Sequence, residues 1–154
     1  MKADPEVIEL LNEVLTAELT AINQYFIHAK MTQNWGYSKL AEHIHHESID
    51  EMKDADKVIE RILYLDGVPN MQRYNPVRVG ETVEEMHRLD LAVEADAIDR
   101  LNRAIARCRE VGDNGSRVML EEILTGEEEH YDELAGRLER IEQMGIENYL
   151  ATQV

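Results

Sequence analysis

The sequence predicts an all-α fold: a four-helix bundle with one long crossover between its second and third helices and a short fifth helix at the C-terminus. Three observations predict it. Apolar residues recur at helical spacing in four long stretches, a single long connection from Gly67 to about Glu81 lacks sustained periodicity, and no stretch alternates as a strand would. The 154 residues form one domain, 1–154, large enough to bury about two-thirds of the surface of the unfolded chain.

Each element carries its own signals. Asp4-Pro5 opens the first helix, with Asp as N-cap and Pro at the first helical position. That helix runs towards Asn34 with an inner stripe of Leu11, Val14, Leu15, Ile22 and Tyr25, and Glu18 falls inside the stripe, so it points inward. Gly36 breaks the pattern and Ser38 is placed to cap the second helix. Its stripe reads Leu40, Ile44, Glu47, Glu51, Asp54 or Ala55, Val58, Ile62 and Leu65. Gly67 and Pro69 stop it, and Pro76 and Gly80 punctuate the crossover.

Thr82-Val-Glu-Glu85 has the capping-box form and opens a third helix that continues to Val111. Its stripe is His87, Leu91, Glu94, Ile98, Leu101 and Ile105. Gly112 to Gly115 makes a short polar turn, which places the fourth helix antiparallel to the third, with Ser116 near its start. The fourth stripe is Leu120, Ile123, Glu127, His130, Leu134, Leu138 and Ile141. Gly145 ends it, and Ile146 to Ala151 suffices for the short last helix. Helices of this length extend about 40 Å.

Acidic residues number 32 against 16 basic, a net charge of -16, which argues against nucleic acid as a partner and for a surface that gathers cations. A lone Cys108 cannot form an internal disulfide. The start, Met-Lys-Ala-Asp-Pro-Glu, has no apolar core of a signal peptide, and no apolar run reaches the roughly 18 residues of a membrane span. A cytoplasmic protein without membrane contact is expected.

The inward acids repeat. Glu18 precedes Glu51 by 33 residues and Glu94 precedes Glu127 by the same 33, so Glu18, Glu51 and Asp54 map onto Glu94, Glu127 and His130 with one offset of 76. Two helices each giving a Glu, and two others each giving Glu-x-x-His, make the ligand set of a dinuclear iron or manganese site inside a four-helix bundle. One of the six positions departs, with Asp54 where the repeat asks for His. A lone Glu on a helix of an acidic chain is ordinarily a solvated surface group. Several ionised carboxylates buried together cost many kcal/mol, and no Lys or Arg shares their stripes at the same level, so a metal is the natural counter-charge. Hard carboxylate oxygens suit iron and manganese, and open positions on such a site can meet dioxygen.

Other residues carry two readings. Tyr25, on the face of Glu18, either hydrogen-bonds a ligand or supplies an electron, or simply packs in the core. Met52 lies about 100° off the inner stripe with Ile49 and Ile59, an apolar strip that fits a helix contact, a subunit interface or a cofactor. His43, His46, Glu47 and Asp50 follow one side of the second helix and fit either a secondary metal stop or a solvated polar face.

Asn23-Gln24-Tyr25-Phe26, His46-Glu47-Ser48-Ile49-Asp50-Glu51-Met52-Lys53, Arg61-Ile62-Leu63, Gly67-Val68-Pro69-Asn70 and Glu147-Asn148-Tyr149-Leu150 together give the chain, from Lys2 to Gln153, a close resemblance to the bacterioferritins, haem-containing bacterial ferritins. The resemblance implies a ferritin-like bundle and a homo-oligomeric cage of about twenty-four subunits. It implies a ferroxidase that oxidises Fe(II) with dioxygen or peroxide and stores a ferric mineral. Glu18, Glu51, Glu94, Glu127 and His130 match the catalytic iron ligands, with Glu51 and Glu127 bridging and Asp54 standing at the sixth position of the metal set. Met52 matches the haem iron ligand, one from each of two subunits sharing a haem b. His46 and Asp50 match an inner-surface iron site. An electron-donor protein that releases iron is a further partner. Asp54 departs from the family's His and weakens the first half of the centre. The alternative is therefore a haem-binding or structural subunit with an impaired centre, working with a catalytic partner subunit. A di-iron oxygenase acting on an organic substrate is disfavoured, because Leu, Ile and Val fill the inner stripes.

Overall fold

The structure, a computed structural model, describes residues 3–154; Met1 and Lys2, where the resemblance begins, lie outside the described residues. Five helices follow in order: α1 Pro5–Asn34, α2 Ser38–Tyr64, α3 Val83–Val111, α4 Asn114–Met144 and α5 Ile146–Ala151. α1 packs along α2 and α3 along α4, α1 also lies against α3, and α5 folds back on α4. The bundle with its long crossover and short last helix is the fold expected.

The caps explain most boundaries. The Asp4 carboxylate accepts from the N–H groups of Glu6 and Val7 at 3.0 and 3.2 Å, and the Thr82 hydroxyl accepts from the N–H of Glu85. Ser38 does not cap α2. It is the first helical residue, Tyr37 precedes it without a side-chain cap, and the N–H groups of Lys39 and Leu40 instead donate to the Gln153 carbonyl. The chain's end thus satisfies donors that a hydroxyl was expected to satisfy.

α2 also stops before Gly67. Asp66 adopts the left-handed conformation, φ 60°, while the N–H groups of Asp66 and Gly67 return to the carbonyls of Leu63 and Ile62, a Schellman closure built on Asp. Gly67 is needed for another reason: a Cβ there would come within 2.8 Å of Ile8 and 3.0 Å of Ile62.

The crossover is pinned to α1 by a ladder of polar side chains spaced four apart. Asn12 donates to the Val68 carbonyl and accepts from the Asn70 N–H. Thr16 accepts from Arg73, Thr20 from the Asn75 N–H, Gln24 from the Arg78 N–H and His28 Nε2 from the Gly80 N–H. The crossover therefore runs alongside α1 and delivers α3 to the end where α1 finishes. Because His28 Nε2 accepts, its proton sits on Nδ1 and is donated to Asp90, 2.9 Å away, which also accepts from Gln24. Asp90 is fully buried, and burial raises its pKa. Leu91, expected on the inner stripe, is only partly buried, because Asp90 takes that position.

The apolar core falls into two clusters. One gathers Leu11, Leu15, Val58, Ile62, Leu101, Ile105, Leu120 and Ile123; the other gathers Tyr25, Leu40, Ile44, Ile141 and Tyr149. A layer of acids separates them.

Candidate metal centre

Four helices each send a carboxylate into that layer: Glu18 from α1, Glu51 from α2, Glu94 from α3 and Glu127 from α4, all at 1 % exposure or less. Asp54 and His130, one turn after Glu51 and Glu127, complete it, as i, i+3 spacing on one helix face requires. Donor atoms converge within 4.8 Å in two sets, Glu18, Glu51, Asp54 and Glu127 in one, and Glu51, Glu94, Glu127 and His130 in the other. Glu51 and Glu127 belong to both sets. The six positions of the sequence repeat therefore meet at one place.

Electrostatics shows what the layer lacks. Both oxygens of Glu18 and Glu127, and one oxygen each of Glu51 and Glu94, are buried without a hydrogen-bond partner among the described residues. Burial pushes the Glu18 carboxyl up to about 8, and the charges of Asp54 and Glu94 reinforce this. Glu51 and Glu127 are raised well above the usual carboxylate range, first by burial and then by the neighbouring charge of Glu18. Burial lifts Asp54 to about 6. His130 moves the other way from a simple buried imidazole. Burial would lower its pKa, but Glu94, Glu47 and Asp50 together outweigh that and raise it to about 9. The set has the donor chemistry of a cation site and, among the described residues, no cationic side chain at its level except this one imidazolium.

Surrounding groups orient the set. Tyr25, fully buried, donates its hydroxyl proton to Glu94, so it meets the centre through a ligand candidate as well as packing in the core. His130 places Nδ1 3.2 Å from Glu51 and 3.7 Å from Glu94 and Glu127, and Nε2 3.4 Å from Asp50. A carboxylate behind an imidazole fixes which nitrogen faces inward.

Two expectations need correction. Of the two places given to Glu47, the inner stripe holds and the polar side with His43 and His46 does not: it is buried and accepts from Arg137 at 2.7 Å, and Arg137 also holds Glu133 at 2.9 Å. Arg137 takes the inward position expected of Leu138, which is partly buried. A basic residue does therefore enter the bundle, but it pairs with Glu47, about two turns from His130, and leaves the four central carboxylates to the one imidazole of His130. His43 and His46 are exposed; the carboxylate nearest His46 is that of Glu42, 3.9 Å away, while Asp50 reaches His130 instead.

Replacing Arg137 by Met should destabilise the protein by about 3 kcal/mol, because Glu47 is left buried and unpaired. Glu47→Leu combined with Arg137→Met should recover most of this. Urea midpoints of the two variants and the wild type measure it; equal loss in both would show that packing, not the charge, decides.

Met52 is half-exposed, at 50 %, on the outer flank of α2, with Ile49 and Ile59 partly buried beside it. Phe26 is similarly exposed on the neighbouring α1. Sequence reasoning missed Asp90, His28 and Arg137. For His28 a signal existed, since Asn12, Thr16, Thr20, Gln24 and His28 form a polar row at i, i+4 spacing, which on a buried helix implies backbone to satisfy.

No described helix is long and apolar enough to cross a membrane. A ferritin-like domain model matches residues 8–144. The chain is 52% identical over 154 residues to the bacterioferritin of Streptomyces coelicolor, covering all of this chain and 92% of that one. It is 51% identical over 151 residues to the bacterioferritin of Mycobacterium bovis, covering 98% and 95%, and 43% identical over 149 residues to that of Rhodobacter capsulatus, covering 97% and 92%. With 97% or more of its length aligned at 43–52% identity and a ferritin-like domain matched over residues 8–144, the chain belongs to the bacterioferritin family.

Proposed function

We propose that the protein stores iron and acts as a ferroxidase, taking two Fe(II) ions as substrate at the acid layer, oxidising them with dioxygen or peroxide and passing Fe(III) to the interior of a cage. One observation carries this reading: two four-donor sets share Glu51 and Glu127, the arrangement that holds two cations side by side. Glu18 and Asp54 hold the first ion; Glu94 and His130 hold the second. Tyr25 orients Glu94 by its hydrogen bond, and Asp50 orients His130, which must give up its Nδ1 proton before it can bind. The cage is a homo-oligomer of about twenty-four copies, in keeping with closed symmetric assembly, and works in the cytoplasm.

Aerobic addition of Fe(II) tests the reading. A saturable oxidation phase should exceed the buffer rate and vanish in Glu94→Ala; a wild type no faster than buffer would overturn it. Asp54→His should raise the initial rate, because imidazole reaches further from the backbone than the short carboxylate. If the wild type is slow and a second ferritin-like chain co-purifies, the protein is the haem-binding or structural subunit of a mixed cage.

Haem fits the outer flank. Met52 offers a soft thioether, half-exposed and without a packing partner that would bury it, as a ligand shared across two subunits would be. Held by Met52, haem b would supply electron-transfer chemistry, with a donor protein as the source of the electrons that return stored Fe(III) to Fe(II). Protein grown with haem should be red, and Met52→Ala should assemble but remain colourless; a colourless wild type counts against this assignment.

A further inference from the structure

The two donor sets are not chemically alike. Glu18, Glu51, Asp54 and Glu127 offer oxygen only, whereas Glu51, Glu94, Glu127 and His130 include an imidazole nitrogen. The difference comes from position 54, where Asp breaks the internal repeat that has His at 130. Both halves are built to receive a cation, since the unpartnered carboxylate oxygens of Glu18 and Glu127, and one each of Glu51 and Glu94, are buried at the layer.

The geometry points to a metal-selective split of the centre: the all-oxygen Glu18–Asp54 half discriminates less against a hard divalent ion such as Mn(II), while the imidazole of the Glu94–His130 half widens the preference for Zn(II). This rests on the dinuclear reading above and deepens it. Affinity for any N or O site rises from Mn(II) towards Zn(II), but imidazole widens that gap and carboxylate narrows it. The shared bridges Glu51 and Glu127 contribute equally to both halves. Of the remaining ligands, one half adds two carboxylates and the other adds one carboxylate and one imidazole. The preference for Zn(II) over Mn(II) should therefore be about tenfold weaker in the first half, the scale of one imidazole-for-carboxylate exchange. With Mn(II) in excess over Zn(II), the centre fills as a mixed pair.

Such a pair places an ion with its own affinity and redox behaviour beside iron. In a mixed-metal supply, Mn(II) would compete with Fe(II) more effectively in the first half than in the second.

The test is redox-silent. The assembled protein is equilibrated anaerobically with Mn(II) and Zn(II) together, and anomalous diffraction at the Mn and Zn absorption edges gives the metal ratio in each half. The Zn-to-Mn ratio should be about tenfold higher beside His130 than beside Asp54. Asp54→His should equalise the ratios by raising Zn(II) in the first half. His130→Asp should equalise them from the other side, and serves if the first variant does not fold. Asp54→Asn, which removes the charge but keeps oxygen, should preserve the split at lower occupancy. Metals in both halves at one ratio would overturn the inference and leave the dinuclear reading standing. No metal in either half would overturn both.

Discussion

Glu51→Gln will abolish the saturable phase of Fe(II) oxidation, a loss of about a hundredfold or more, while making the metal-free protein more stable at pH 8 by about 1–3 kcal/mol. The two effects have one cause. Glu51 belongs to both donor sets, so removing its charge weakens both metal positions at once. In the metal-free state that same charge is a burden. It is fully buried, one of its oxygens has no partner, and burial together with the Glu18 charge resists its ionisation. The amide keeps the shape and removes the repulsion. His130 loses a neighbour at 3.2 Å but keeps Glu94 and Glu127 at 3.7 Å. Stopped-flow oxidation and thermal unfolding of chelator-treated protein measure the pair. A variant that is inactive and also less stable at pH 8 would show that the acids are not held against mutual repulsion, and that the layer is balanced without metal.

The opposition between stability and activity also explains what could be seen in the sequence. Glu18, Glu51, Glu94 and Glu127 occupy positions of an apolar stripe, a local inconsistency that makes no sense for a core and good sense for a cation site. Helix periodicity reports direction, so it put five residues of the layer on inner stripes and left Asp54 or Ala55 open; the internal offset of 76 added Asp54. It also placed the bundle's ends, because caps such as Asp4 and Thr82 act over three residues. It could not find Gln153 as the cap of α2, since that bond joins residues more than a hundred positions apart. Nor could it choose between Asp90 and Leu91, or between Arg137 and Leu138. Adjacent residues differ by only 100° on a helix, and polarity argued for the apolar member. The buried partners decided otherwise: His28 and Gln24 await Asp90, and Glu47 awaits Arg137. Burial of a charged residue is a pairwise property, and one-dimensional patterning does not carry pairs.

Glu47 and Arg137 are also why the acid layer needs its own cation. Arg137 holds Glu47 and Glu133 on α2 and α4. Its charge is spent within a few ångströms, and the four central carboxylates are left with one imidazole among them. A cation from solution can therefore enter without displacing the Arg137 ion pairs, expelling instead the proton of His130 and those of the carboxyls, and the apolar clusters on either side hold the layer in place.

Metal-free protein should lose stability steadily as pH rises from about 5 to about 9, and a bound divalent ion should cancel that slope. The Glu18 carboxyl stands at about 8 in the folded protein against 4.5 for the unfolded chain, so its contribution is fully present below 4.5 and is lost as pH climbs through 8. His130 stands at about 9 against 6.5, and its contribution is likewise present below 6.5 and lost by 9. Asp54, at about 6 against 3.8, acts in the same direction over the lower part of the range. Between pH 6.5 and 8 Glu18 and His130 act together, each adding about 1.4 kcal/mol per pH unit while the folded state holds a proton that the unfolded state has lost. Metal binds the deprotonated ligands, so it strengthens as pH rises and must expel protons at pH 7. Thermal unfolding of chelator-treated protein at pH 5.5, 7 and 8.5, with and without Zn(II), measures the slope. Proton release on anaerobic Zn(II) addition in weak buffer measures the linkage directly. Unchanged stability between pH 5.5 and 8.5 in the metal-free protein, with no protons released on metal addition, would mean that the four carboxylates are already ionised and compensated, and that the layer is not a cation site of this kind.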